Sequence, residues 1–387
     1  LGGVVREVWL DGGAEATGEL SRALAAALGG GPAVLPLSRN DSTAKALRDA
    51  MEPELPVEAD TAVIIATSGS MGAPKGVLLS ASALVASAEA THERLGGPGR
   101  WLLATPAQYI GGLQVLVRSL LAGTSPEVLV ADGFRADDFA QAAAPVLAGD
   151  GPRYTALVPT QLTRLLDAGG EGLAAARAFD AIIVGAAATS AGLRERASDA
   201  GLSIFPAYGM SETASGCVYD GFPLDGVRVT LGEDGRIELS GSVLAHGYRL
   251  RPELTAESFV DGRFLTSDRG TIHPDGRLEV LGRLDDMINT GGVKVPATAV
   301  ERVLTAQPGV REACVVGLPD PQWGEAVVAM VVGDGASPEA LRMAVREALG
   351  PAATPKRIEF ASALPLRGPG KIDRAAVKTL LSPEISH

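Results

Sequence analysis

Between residues 154 and 205 short apolar runs alternate with helical stretches, and this alternation restricts the fold more than any other feature of the chain. Strand signals at Tyr154–Val158, Ala181–Val184 and Leu202–Phe205 are separated by helical patterns at Gln161–Leu166 and Ala191–Ala200. That rhythm predicts parallel α/β layers. In open sheets of this kind ligands gather beyond the carboxyl ends of the strands. The loops Gly185-Ala186-Ala187-Ala188 and Ala207-Tyr208-Gly209 are therefore expected to line one crevice, their small residues leaving room for a flat base.

A second apolar run, Thr61–Ala66, reads as a buried strand and leads directly into Thr67-Ser68-Gly69-Ser70-Met71-Gly72-Ala73-Pro74-Lys75-Gly76. The glycines let the backbone approach an anion without obstruction by a Cβ. Hydroxyls and free N–H groups can face phosphate oxygens, and Lys75 adds a point charge. The Walker loop is excluded, because it ends in Gly-Lys-Ser/Thr and this run ends in Lys75-Gly76-Val77. Taken alone, the run is equally compatible with a flexible surface loop.

The rest of the chain supplies the frame. Helical patterns occupy Glu19–Leu28 and Ser80–Leu95, the latter capped by Ser80 or Ser82 and ended by Gly96-Gly97-Pro98-Gly99. Strand signals lie at Ala33–Pro36 and Trp101–Thr105. From Gln108 the chain passes through a glycine-bearing loop into an apolar helix interrupted by Arg118, which must reach solvent, a carboxylate or a bound anion. Short runs among recurring glycines from Gly221 to Gly282 predict a β-rich subdomain. Beyond it, helix and strand signals make a compact α+β unit of about one hundred residues. The expected division is residues 1–283 and 284–387.

Several function classes are disfavoured. A net charge of −12 opposes nonspecific capture of nucleic acid or anionic lipid. The longest apolar runs, such as Val327–Val332, are too short for membrane insertion. No basic start followed by an apolar stretch marks a secretory signal, so the cytoplasm is the expected location. Cys217 and Cys314 lack metal-ligand spacing, and His92, His246, His273 and His387 are scattered.

The loop at 67–76 resembles the phosphate loop of the acyl/aryl-adenylate-forming superfamily, with Met71 where that family usually has a hydroxyl residue. Further motifs follow in family order. Tyr208-Gly209-Met210-Ser211-Glu212-Thr213 resembles the segment whose tyrosine packs on adenine, whose Ser211 contacts phosphate or acyl oxygen and whose Glu212 holds Mg²⁺. Phe264–Asp268 resembles the segment whose aspartate, here Asp268, binds ribose. Gly282–Ile288 is similar to the hinge, with Arg283 near the nucleotide and Asp285 as pivot. Pro365–Arg374 matches the loop that carries a catalytic lysine, here Lys371.

The resemblance implies an adenylate-forming fold with a large amino-terminal domain and a small mobile carboxyl-terminal one. It also implies ATP, Mg²⁺ and CoA as reaction partners beside a small carboxylic acid. Thr67, Ser68, Gly69, Ser70, Gly72, Lys75, Gly185, Ala186, Ala207, Tyr208, Gly209, Asp268 and Arg283 would bind nucleotide; Gly291 and Gly292 would pass the CoA arm; Lys371, Ser211 and Glu212 would be catalytic. Gly112–Arg118, Leu157–Leu166 and Tyr208–Ser215 most resemble the o-succinylbenzoate:CoA ligase family of menaquinone synthesis, which assigns Arg118, Thr160 and Gln161 to the acid. The alternatives are another aryl or medium-chain acid, service to a carrier protein, and a nonenzymatic nucleotide-binding protein. The amino-terminal region before the loop is shorter than is general in the superfamily, and a homodimer that covers apolar surface there is a further expectation.

Overall fold

The run after Thr61 becomes strand β3 (Val63–Ser68), which pairs antiparallel with β4 (Pro74–Leu79) in a register that sets Thr67 opposite Lys75. β3 also lies parallel to β2 (Ala33–Ser38), and β2 to β1 (Val5–Leu10). β14 (Gly247–Tyr248) closes the other edge, giving the order β1-β2-β3-β4-β14. The computed structural model describes residues 3–68, 74–130, 133–284, 286–368 and 370–382. They form two compact units, one of Leu1–Thr189, Glu195–Thr230 and Glu238–Leu265, the other of Ser190–Arg194, Leu231–Ile237 and Thr266–His387.

The alternating segment builds the second sheet of the first unit. Its strands are β5 (Arg100–Leu103), β6 (Glu127–Val128), β7 (Arg153–Leu157), β8 (Ala181–Val184), β9 (Ile204–Met210), β10 (Ser215–Tyr219) and β11 (Phe222–Pro223), in the order β11-β10-β9-β8-β7-β5-β6. The pairs from β6 to β9 are parallel, as the strand–helix rhythm requires, whereas β10 returns antiparallel to β9. β9 runs to Met210, beyond the predicted end at Phe205. Its continuation depends on β10, which sets Tyr208 opposite Val218, and local pattern carries no record of a partner strand.

The helix Ala81–Leu95 begins where its cap predicts, with Ser80 Oγ accepting a hydrogen bond from the Ala83 amide at 3.1 Å. It packs with the helix Ile110–Leu121, and Leu84, Ala88, Leu113, Val115, Leu116 and Val117 join Trp101 and Tyr154 in the main core. Gly112 is required at the start of the second helix, because a Cβ there would run into the Thr105 and Pro106 carbonyls. The chain then passes through β12 (Val227–Leu231), β13 (Arg236–Gly241), β15 (Phe259–Val260), β16 (Arg263–Ile272) and β17 (Leu278–Arg283), the β-rich segment expected from its turn residues.

In the second unit β18 (Met287–Thr290), β19 (Val293–Pro296), β20 (Val310–Asp320), β21 (Gly324–Gly333) and β22 (Arg357–Ala361) form one sheet, with β19-β18-β21-β20 in order and β22 on β21. The helices Ala297–Thr305 and Pro338–Leu349 pack Val300, Leu304, Leu341 and Val345 against it. A hairpin of β23 (Leu366–Arg367) and β24 (Lys371–Ile372) precedes the final helix, Arg374–Leu381.

Candidate active site

Lys75 stands on β4 directly after the glycine loop, and its ammonium Nζ meets Glu212 Oε1 at 2.7 Å. Glu212 comes from a single 3-10 turn, Ser211–Thr213, that reverses the chain between β9 and β10. The reversal is tight: Ala214 has φ +50° and Ser215 φ +110°, conformations that side-chain-bearing residues rarely adopt. Thr213 Oγ1 stabilises it, accepting from the Met210 amide at 3.0 Å and donating to the Ser215 carbonyl at 2.7 Å. Gly209 is needed beside the turn, because a Cβ would strike the Ser215 carbonyl.

A third group completes this cluster and has no counterpart in the sequence reading. The Tyr248 hydroxyl donates to Glu212 Oε1 at 2.8 Å, Lys75 Nζ donates to the same hydroxyl at 3.3 Å, and Nζ lies 4.5 Å from the Tyr248 ring centroid. Burial, with the Glu212 charge second, raises the Tyr248 pKa well above the usual tyrosine range. The hydroxyl therefore keeps the proton that it donates to Glu212. Tyr248 belongs to the two-residue strand β14, a segment too short to carry a periodic signal.

The nucleotide candidates in the first unit fall at neighbouring strand ends. Thr67 Oγ1 donates to the Lys75 carbonyl at 3.2 Å, and Ser68 ends β3. Gly69, Ser70, Met71 and Gly72 lie outside the described residues. Gly185 and Ala186 follow β8, Ala186 at φ +70°, and a Cβ on Gly185 would come within 3.7 Å of the Ala207 carbonyl. Ala207, Tyr208 and Gly209 themselves lie on β9.

The acid candidates have different surroundings. Arg118 is 1% exposed in the helix Ile110–Leu121, and its Nε and Nη2 have no hydrogen-bond partner among the described residues. Its guanidinium carbon is 5.2 Å from the Trp101 ring centroid, and the Tyr219 hydroxyl, itself 3.2 Å from Thr91 Oγ1, is its polar neighbour. Burial lowers the Arg118 pKa. Burial first, and the Arg118 charge second, push His92 down to about 4, so this histidine is neutral near pH 7, and its Nε2 has no hydrogen-bond partner among the described residues. Gln161 caps its own helix: Oε1 accepts from the Val158 amide at 2.9 Å and Nε2 donates to the Ala104 carbonyl at 2.8 Å. Thr160, beside it, is half-buried.

In the second unit, β16 and β17 set Asp268 directly opposite Arg283. Asp285 lies outside the described residues. Gly291 and Gly292 form the β18–β19 turn at φ +57° and +77°, with open space where a Cβ on Gly292 would stand. Lys371 is exposed on β24. The motif residues after it anchor that hairpin. Asp373 caps the last helix through the Ala376 amide, and Arg374 makes a two-point contact to Glu301, at 2.5 and 2.8 Å, while reaching the Val315 carbonyl and Asp286.

A lysine directly after the glycine run, an acidic turn at the end of a neighbouring sheet and a second unit that presents a lysine on a hairpin fit the motif order of an adenylate-forming enzyme. Comparison with known proteins agrees: residues 7–248 match the model of the AMP-binding enzyme and residues 299–371 that of the AMP-binding enzyme C-terminal domain. The chain belongs to the AMP-binding enzyme family. It is 43% identical over 373 residues to a probable 2-succinylbenzoate–CoA ligase of Mycobacterium tuberculosis, covering 94% of this chain and 95% of that one. Among solved structures, an Arg-to-Lys variant of E. coli MenE with bound OSB-AMS superposes with a TM-score of 0.78 at 27% identity, over 98% of this chain and 88% of that one. The amide bond synthetase McbA of Marinactinospora thermotolerans superposes with a TM-score of 0.74 at 30% identity, over 91% and 76%. Among the described residues no helix is long and apolar enough to cross a membrane.

Proposed function

We propose that this chain is an AMP-forming acid:CoA ligase that activates 2-succinylbenzoate and transfers it to coenzyme A. The observation that carries the choice of acid is Arg118. Among the described residues this buried guanidinium has Trp101 and Tyr219 beside it but two nitrogens with no acceptor, and a carboxylate admitted there would supply one. 2-Succinylbenzoate has two carboxylates, and only one is consumed by activation. The other keeps its charge throughout, and an arginine in an apolar helix is a fitting counter-ion for it. The Mycobacterium tuberculosis relative is named for the same acid.

One carboxylate oxygen attacks the α-phosphorus of ATP, a new C–O–P linkage forms, and the bond to pyrophosphate breaks. The thiol sulfur of coenzyme A then attacks the acyl carbon, the thiol proton is lost, and AMP leaves. Lys75 and the glycine loop neutralise the departing pyrophosphate, exchanging the Glu212 contact for phosphate oxygens. Glu212 is then free to hold Mg²⁺; one carboxylate suits an ion that takes its remaining ligands from phosphate and water. The bound ion would supply charge neutralisation of the phosphates. Tyr208 packs on the base, Asp268 accepts from the ribose hydroxyls, and Lys371 neutralises charge between carboxylate and α-phosphate. A pivot at Asp285 and passage of the thiol arm over Gly291 and Gly292 complete the cycle.

The test is pyrophosphate release from ATP and Mg²⁺, with and without CoA, across 2-succinylbenzoate, benzoate, a medium-chain fatty acid and no acid. Selective release with 2-succinylbenzoate, and its thioester when CoA is present, is the expected result. Preference for another acid overturns the substrate, and release with none overturns the enzymatic reading.

A further inference from the structure

We propose that Arg374 is a positioning residue for adenylate formation, fixing in place the hairpin on which Lys371 stands. The inference rests on the role proposed for Lys371 and supplies that role with a support. β23 and β24 pair at two positions, Leu366 with Ile372 and Arg367 with Lys371. A two-stranded hairpin this short is marginal by itself, so its placement depends on what holds its ends. Asp373 provides one hold: its amide donates to the Pro365 carbonyl at 2.8 Å, and its Oδ1 accepts from the Ala376 amide at 3.0 Å. Arg374, the first residue of the final helix, provides the other.

The Arg374 guanidinium reaches three separate parts of the second unit. Nη1 and Nη2 meet Glu301 Oε1 and Oε2 at 2.5 and 2.8 Å, on the helix Ala297–Thr305. Nη1 also donates to the Val315 carbonyl on β20 at 2.9 Å, and Nε lies 3.3 Å from Asp286 Oδ2, just ahead of β18. These acceptors are themselves fixed. Glu301 Oε1 accepts from the Val315 amide at 2.7 Å, while Val300, Leu304 and Val315 are buried in the core of the unit. Lys371 is three residues from Arg374, a reach of at most about 10 Å, so the contact limits how far the backbone of the lysine can wander. A planar fork can engage both carboxylate oxygens and still present Nε to a second acid, which an ammonium cannot. The lysine must meet charge that develops in the transition state, and a misplacement of about 1 Å at such a point costs on the order of 100-fold in rate.

The test compares the two half-reactions in Arg374→Lys, Glu301→Gln and Lys371→Ala. ATP–pyrophosphate exchange with 2-succinylbenzoate reports adenylate formation, and conversion of supplied acyl-adenylate by CoA reports the second step. Arg374→Lys keeps the charge and loses the fork. Its pyrophosphate exchange should fall in kcat by about tenfold or more, with KM for ATP unchanged and thioester formation from the adenylate preserved. Glu301→Gln, which keeps a neutral acceptor, should show the same split less steeply. Deuterium uptake in Arg374→Lys should quicken at the amides of β23 and β24 and stay unchanged in β20 and β21, a readout that needs no turnover. Equal loss of both half-reactions, or parental rates of pyrophosphate exchange and deuterium uptake, would reduce Arg374 to a structural tie and overturn the inference. Lys371→Ala separates that failure from failure of the premise. If it abolishes pyrophosphate exchange while Arg374→Lys does not impair it, the positioning role alone falls; if exchange survives Lys371→Ala, the role of the lysine is overturned and the inference with it.

Discussion

Two arginines of the first unit are almost equally buried and differ in every other respect. Arg249, 2% exposed, spends its whole guanidinium on the segment that follows the helix Ala44–Met51. Nε donates to the Met51 carbonyl, Nη1 to Pro56 and Glu58, and Nη2 to Glu52 and Leu55, all between 2.7 and 3.0 Å. Arg118, 1% exposed, leaves Nε and Nη2 without partners among the described residues. The first is a structural clamp whose charge is compensated within the fold. The second is the arginine proposed to meet the free carboxylate of the acid, and the difference shows that equal burial goes with very different hydrogen-bond accounts.

The comparison can be broken by exchanging the consequences of losing each group. Arg249→Met should cost about 3–5 kcal/mol of stability, because it removes the donor of four carbonyls and leaves Glu58 with the Leu250 amide alone; a melting temperature within error of the parent would show the clamp to be dispensable. Arg118→Ala should weaken transition-state binding of 2-succinylbenzoate by roughly 2–5 kcal/mol in kcat/KM, apart from the stability lost with its buried stem and its contact to Trp101. Benzoate turnover should not share that loss. Equal loss for both acids would make Arg118 a second structural clamp.

His92 sharpens the same contrast through pH. Its folded pKa of about 4 lies below the ordinary histidine value of 6.5, so the unfolded chain binds the proton first as pH falls. Its contribution to stability is complete above pH 6.5 and is lost progressively down to pH 4, on the order of 1–3 kcal/mol. Urea titrations over that window should show a shallower acid decline for His92→Gln; an identical decline would place the titration elsewhere. The smallest effect expected is that of Tyr248→Phe, which removes one hydrogen bond to Glu212 and should cost about 1–2 kcal/mol. Its signature is kinetic as well: if the hydroxyl positions Glu212, the Mg²⁺ dependence of pyrophosphate release should shift to higher concentration while KM for the acid is unchanged.

The legible part of this protein is the part written in local pattern. The strand before the glycine loop, the Ser80 cap, the alternating strands from Tyr154 to Phe205 and the α+β character of the last hundred or so residues all follow from periodicity and turn chemistry acting over a few positions. The order of the motifs extended that reading to the family. Tyr248 was not legible. It joins Lys75 and Glu212 from 173 and 36 positions away, on a strand of two residues, and its one polar atom has no sequence partner at a fixed spacing. The two engaged ends of the Gln161 amide were equally hidden, since one of its partners, the Ala104 carbonyl, lies 57 positions back.

By itself, then, the sequence determined the parallel α/β layering, the glycine loop with its lysine, the acidic turn and the second unit with its own lysine. Each is set by short-range backbone preference or by residue order, and neither requires knowledge of what packs against it. Only the tertiary structure decided which charges are satisfied. Arg118 and Arg249 look alike as letters among apolar or turn residues, and their hydrogen bonding separates only when long-range packing removes water and either provides acceptors, as for Arg249, or, among the described residues, leaves buried guanidinium nitrogens without one. The cost of burying an unpaired polar group arises from that packing, and no local pattern in the sequence carries it.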